Sequence, residues 1–169
     1  NDRVEECNYA LKLINEKCGN KFSSLCEVDL NIIESLKNDM DVKIYNRASF
    51  VINENLRTHD AAIKLNEFKL MEIGNLMYQS HAGLKDLYEV SCNELDYLVD
   101  LTKAHDQIIG SRMMGGGFGG CTINLIHKRF IDEFIEEASK SYFEKFSINL
   151  TPIEINICDG VKIKNLQTD

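Results

Sequence analysis

The stretch IIGSRMMGGGFGGCTINLI, residues 108–126, places two short β-prone runs on either side of a cluster of glycines. Residues 108–114 and 121–126 are rich in β-branched and other large apolar side chains, and they read as two strands. Between them stand Gly115, Gly116, Gly117, Gly119 and Gly120 beside a single Phe. A hairpin needs only one or two glycines, and each one adds to the chain entropy that folding must overcome. So many positions without a side chain expose backbone N–H groups and permit φ > 0, which lets a phosphate or another peptide segment approach closely. A tight corner between strands is the other reading. Gly115, Gly117 and Gly120 satisfy G-x-G-x-x-G, but a dinucleotide fingerprint opens a helix, whereas strand-like CTINLI follows here, and the segment has no P-loop Lys. A protein-kinase glycine loop does lie between strands, yet the chain has no HRD or DFG sequence.

Upstream of this stretch the grammar is helical. Val4, Cys7, Ala10, Leu11 and Ile14 share a face until Cys18-Gly19, and the absence of an initiating Met before a pattern already running suggests a piece of a longer protein. A short helix is expected over 28–36 and a long one over 41–65, with Val42, Tyr45, Ala48, Ile52, Leu56, His59 and Ile63 on one stripe. Asn66 suits a left-handed helix end, and periodicity resumes over 68–82 to form an antiparallel partner. Ser91-Cys92-Asn93-Glu94 reads as a capping box, with Val90 and Leu95 as its hydrophobic staple, opening a helix from Cys92 to about Ala104. Downstream, Phe130, Phe134, Ala138 and Tyr142 mark a helix. Pro152 then opens a strand in which Ile153, Ile155 and Ile157 alternate with polar residues, and Asp159-Gly160 turns it into 161–163. The expected class is α+β, one domain over 1–169, with a helical subdomain and a small antiparallel sheet in a ferredoxin-like β-α-β-β-α-β order.

Composition narrows the function. A net charge of −8, with Lys and Arg scattered, repels phosphate backbones over most of the surface, so neither nucleic acid nor an anionic membrane is an expected partner. No apolar run approaches the ~18 residues of a membrane helix, and NDRVEECNYA is too charged for a signal peptide. Six widely spaced cysteines without a C-x-x-C read as reduced, mostly buried thiols in a cytoplasmic protein. His59 and His81 read as core histidines, and His105 and His127 as solvated. Asp86 and Glu89 beside Tyr88 read as cap or surface carboxylates, with no local reason for a raised pKa.

The segment from Arg112 through MMGGGFGGCTINLI resembles the third motif of the GHMP kinases in its galactokinase form, and SHAGLKDLYEVSCNELDYLVDL resembles the segment that precedes it there. NRASFVINENLRT is similar to the long helix of that family, and CDGVKI to its closing strand and turn. The resemblance implies the C-terminal domain of an enzyme that transfers a phosphoryl group from ATP, with Mg2+, to the C1 hydroxyl of galactose. It implies that Gly115, Gly116, Gly117, Gly119 and Gly120 lie near the triphosphate, against the family's main phosphate loop. That loop, the N-terminal sugar signature, and the Asp and Arg used at the reacting hydroxyl have no counterpart in this sequence; a sugar-contacting Tyr of the family would fall just before residue 1. Catalytic residues and metal ligands are therefore expected outside this chain. The chain alone is expected to fold without phosphorylating galactose, and to expose an apolar face where an N-terminal domain docks or where it self-associates. Valine at Gly116 or Gly117 is expected to damage ATP use while leaving the fold largely intact. The same motifs would suit a kinase for N-acetylgalactosamine or another sugar, or a noncatalytic regulator that binds sugar, ATP and a protein partner.

Overall fold

The computed structural model describes residues 2–19 and 21–155. The class is α+β: mostly helical, with a two-stranded antiparallel sheet. In chain order the elements are α1 (Asp2–Cys18), α2 (Leu30–Ser35), α3 (Val42–Asn66), α4 (Leu70–Asp86), α5 (Asn93–Thr102), β1 (Ile108–Met114), β2 (Cys121–Ile126) and α6 (Ile131–Phe146). The described residues thus hold the β-β-α portion of the expected order. Residues 151–155 form no strand, and Ile153 and Ile155 are exposed. Ile157, Cys158, the Asp159-Gly160 turn and 161–163 lie outside the described residues.

The first core joins α1, α2 and α3. Ala10 and Ile14, one turn apart on α1, pack with Ile33, Ala48 and Ile52. Asp41 begins α3 by accepting the Lys43 N–H at 2.8 Å, the side-chain cap that supplies one of the helix's orphan donors with a partner. Only the first half of α3 is buried, at Arg47, Ala48, Phe50 and Ile52. Its second half outruns the core, so Leu56, His59 and Ile63 on the expected stripe are exposed. The left-handed residue that ends α3 is Phe68, at φ 56°, not Asn66, which remains helical. Lys69 N–H donates to Lys64 O at 3.0 Å and Phe68 N–H to Leu65 O at 3.1 Å, the paired bonds of a Schellman end. The extra turn moves the cap two residues past the Asn.

β1 is buried along most of its length, while β2 is the more exposed strand. A lone hairpin is only marginally stable, and helices cover this one. α4 crosses β1 so closely that a Cβ on Gly74 would stand 1.9 Å from Ile109 O, and one on Gly110 would stand 2.4 Å from the Gly74 Cα. The ladder is irregular between Ile108 and Gly110, then runs in register from Gly110 opposite Leu125 to Met114 opposite Cys121. Phe130, Phe134 and Ala138 of the last helical segment pack under Ile108.

α5 begins one residue later than expected, and its capping box does not form. Cys92 holds the cap position, and the Ser91 hydroxyl donates to Asp96 Oδ1 instead. Asp96 also lies 3.0 Å from Lys85 Nζ and 3.3 Å from His81 Nε2, so tertiary partners outcompete the local motif. With the cap at Cys92, Val90 and Leu95 no longer occupy the staple positions, but both are buried together with Met113. His105 is half-buried rather than solvated, its ring centroid 5.1 Å and 5.8 Å from those of Phe130 and Phe134. Among the described cysteines all five thiols are free, but Cys26 and Cys121 are exposed and the other three are only half-buried, so mostly buried thiols is corrected. No helix among the described residues is long and apolar enough to cross a membrane.

Candidate functional site

The six residues between β1 and β2 form a turn with an open side and a pinned side. Gly115, Gly117, Phe118, Gly119 and Gly120 all have positive φ, at 87°, 83°, 58°, 126° and 103°. Residues with a Cβ resist that region by about 1–2 kcal/mol each, so the path favours glycine at 115, 117, 119 and 120. A Cβ at Gly115, Gly116 or Gly119 would meet nothing within 4 Å, and one at Gly120 would have Met114 O at 3.8 Å. Gly117 is different: a Cβ there would lie 2.0 Å from Val90 O. The next residue, Phe118, donates its N–H to that same carbonyl at 2.7 Å. Phe118 itself is 71% exposed, and Met114 and Cys121 are exposed at the mouth of the turn. The expectation that valine at Gly116 or Gly117 leaves the fold largely intact is divided here: Gly116 has room, and Gly117 has a carbonyl in the way.

Beneath the turn, polar groups hold the strands to the helices. His81 is buried on α4 and accepts the Met113 N–H at Nδ1, 3.2 Å away. Burial lowers its pKa, and the Asp96 charge only partly opposes this, so the ring is held neutral with Nε2–H directed to Asp96. Core use of His81 was legible from the helix stripe; its backbone partner was not. Arg112 donates Nε to Met113 O at 3.0 Å and stands 3.7 Å from Glu54, which also receives Arg57 and the Ser80 hydroxyl.

The segment that carries Val90 has its own support, and the sequence reading missed it. Arg47 of α3 is fully buried. It donates to Leu87 O, to Glu89 Oε2 at 2.6 Å and to Glu6 Oε2 at 3.0 Å. Arg3 of α1 reaches Glu89 O at 3.3 Å and pairs with Glu6, which also meets Lys43 Nζ at 2.6 Å. Burial alone would raise the Glu6 carboxyl, but bonds from Lys43, Arg3 and Arg47 outweigh it and hold the group at about 2. Burial disfavours the Arg47 charge, yet Glu89 and Glu6 prevail and raise its pKa. Glu89 is exposed, as expected of a surface carboxylate, and is also an ion-pair partner of Arg47 with φ 52°. A basic residue next to Ala48 on the inward side of α3 was the available signal.

Chemically, the turn offers close backbone approach and N–H groups, and it has no side chain able to transfer a proton. Its open glycines suit an anionic phosphate or a peptide segment that holds one. Among the described residues no group of three or more His, Cys, Asp or Glu is placed to hold a metal ion. Two shallow grooves, about 250 Å³ and 320 Å³, lie along α3 and along α5, and neither is lined by the turn.

Comparison with known proteins follows the same segments. A family model described as GHMP kinases C terminal matches residues 61–145. Galactokinase of Clostridium acetobutylicum is 40% identical over 163 residues, covering 96% of this chain and 41% of that protein. Galactokinase of Thermotoga neapolitana is 39% identical, covering 96% and 43%, and that of Bacillus subtilis is 38% identical, covering 96% and 41%. The chain thus spans about two fifths of the length of these curated relatives. The crystal structure of Lactococcus lactis galactokinase complexed with galactose superposes with a TM-score of 0.81 at 31% identity, covering 88% of this chain and 38% of that one.

Proposed function

This chain belongs to the GHMP kinase family, and we propose that it is the C-terminal domain of a cytoplasmic galactokinase, which transfers the γ-phosphoryl group of ATP to the C1 hydroxyl of galactose. Phosphoryl transfer demands positioning and charge stabilisation more than covalent chemistry from the protein. When bound, ATP with Mg2+ supplies the activated phosphoryl group. The contribution of this chain is a wall. The observation that carries the reading is the two-sided turn, pinned through Gly117 and Phe118 to Val90 and bare at Gly115, Gly116 and Gly119. On this reading, the bare side meets the triphosphate or the phosphate loop of the remaining domain, and Gly120 allows β2 to leave without obstruction. Exposed Phe118 and Met114 give that domain an apolar foothold beside the turn.

Backbone N–H groups by themselves cannot orient a sugar hydroxyl against a phosphoryl group, and the turn holds no base. The chain alone is therefore inactive on this proposal. Coupled measurement of ADP release with galactose and ATP tests it. Turnover is expected from a protein containing both domains and to fall at least about a thousandfold for these 169 residues alone. Comparable turnover from the two would refute the division of labour. Galactose is the substrate favoured, because the superposed Lactococcus protein is complexed with that sugar. Phosphorylation of N-acetylgalactosamine in preference to galactose would overturn the choice.

A further inference from the structure

We propose that Arg47, on a helix that contributes nothing to the glycine turn itself, is a positioning residue for that turn. It acts through the corner at residues 87–90. Beyond α4 the chain reverses through Leu87, Tyr88 and Glu89, with Glu89 held at φ 52°. A non-glycine residue keeps such a conformation only where its surroundings over-determine it, and here two guanidinium groups do so together with the Val90 N–H bond to Leu84 O at 3.0 Å. Arg47 takes Leu87 O and the Glu89 carboxylate, while Arg3 takes Glu89 O. The next carbonyl is that of Val90, which accepts Phe118 N–H at 2.7 Å and sets the contact at Gly117. The contacts are continuous from α1 and α3 to the turn. If Arg47 served only to join those helices, its bond to Glu6 would suffice; two of its three partners belong to the corner instead.

The requirement is geometric as well as electrostatic. A guanidinium presents several N–H groups in a rigid plane, and here Nε, Nη1 and Nη2 diverge to Glu6, Leu87 and Glu89. An ammonium in the same place keeps the charge but cannot reproduce the fork. Loss of the fork frees the Leu87 carbonyl and the Glu89 carboxylate, the corner relaxes from its left-handed residue, and Val90 O moves away from Phe118. His81 and β1 hold Met113 independently, so the hairpin itself need not loosen.

The effect on nucleotide use rests on the function proposed above, so the test separates the two ideas. Backbone amide exchange is followed in the whole chain for Phe118, which donates to Val90 O, and for Met113, which donates to His81, in Arg47→Lys and Glu89→Gln. Phe118 is expected to exchange at least about tenfold faster in Arg47→Lys and about threefold faster in Glu89→Gln, with Met113 unchanged. Glu89 is half-exposed, so its variant decides the matter should Arg47→Lys fail to fold. Unchanged Phe118 exchange in the folded variants overturns the proposal, and so does equal acceleration at Met113, which is the mark of general destabilisation. In a protein containing both domains, the KM for ATP should rise while that for galactose stays put. Faster Phe118 exchange with an unaltered KM for ATP supports the positioning role and refutes the nucleotide assignment of the turn.

Discussion

Alanine scanning of two neighbouring glycines offers the sharpest test of the turn's geometry. At Gly117 the new methyl would sit 2.0 Å from Val90 O, about 1.4 Å short of ordinary contact, and the backbone is at φ 83°. The left-handed conformation costs alanine about 1–2 kcal/mol. Relieving the overlap separates Val90 O from Phe118 N–H, and losing that bond adds about 1 kcal/mol. Gly117→Ala should therefore destabilise by about 2–3 kcal/mol in total. At Gly116 nothing lies within 4 Å and φ is outside the left-handed region, so alanine should be neutral or stabilise slightly, by up to about 0.5 kcal/mol, through reduced freedom of the unfolded chain. Urea unfolding followed by circular dichroism reads both, with the slope checked for constancy so that midpoint shifts convert to free energy. A Gly117→Ala loss below about 1 kcal/mol, or an equal loss at Gly116, would refute the pinned and open description.

Three further outcomes are expected. Glu6 titrates at about 2 in the fold and near 4.3 when unfolded, so its ionised form stabilises above about 4.3 and that contribution is lost as pH falls through the folded value. The melting-temperature gap between the native chain and Glu6→Gln should be full above about pH 5 and close towards pH 2; a gap independent of pH contradicts the network. His81 should show a pKa below about 6.5 by NMR, with Nδ1 unprotonated. Near pH 6 the unfolded chain then binds the extra proton, and stability contributed by this ring rises with pH. Titration at or above 6.5 would count against it. Phe68→Gly, at an exposed left-handed helix end, should stabilise by about 0.5–1 kcal/mol and raise the melting temperature by about 1–4 °C. A lower melting temperature would mean that Phe68 has packing partners.

The local patterns succeeded where an element is decided by its own residues. Ala10 and Ile14, and the set Phe130, Phe134, Ala138 and Tyr142, fall on the buried faces their spacing demands, and both strands occupy the expected positions. Patterns failed where a distant partner competes. Ser91 abandons its capping box because Asp96 is fixed by Lys85 and His81. Leu56 and Ile63 stay exposed because α3 is longer than the core it covers, a length that periodicity cannot reveal. In the candidate site, the need for glycine was legible from composition alone, since no other residue tolerates so many positive φ angles.

Which glycine is pressed against backbone and which stands bare was decided by tertiary structure, because Val90 reaches the turn only after α4 and the 87–90 corner are folded on to β1. The same holds for Arg47. Its partners lie about forty residues away in either direction along the chain, and their convergence depends on how α1, α3 and the corner pack. The sequence by itself determined the helices, the paired strands β1 and β2, the α+β class and the glycine-rich turn between those strands. Tertiary packing determined the orientation of that turn, for a short-range preference is a property of neighbours in the chain, whereas a close backbone contact is a property of surfaces brought together from distant parts of it.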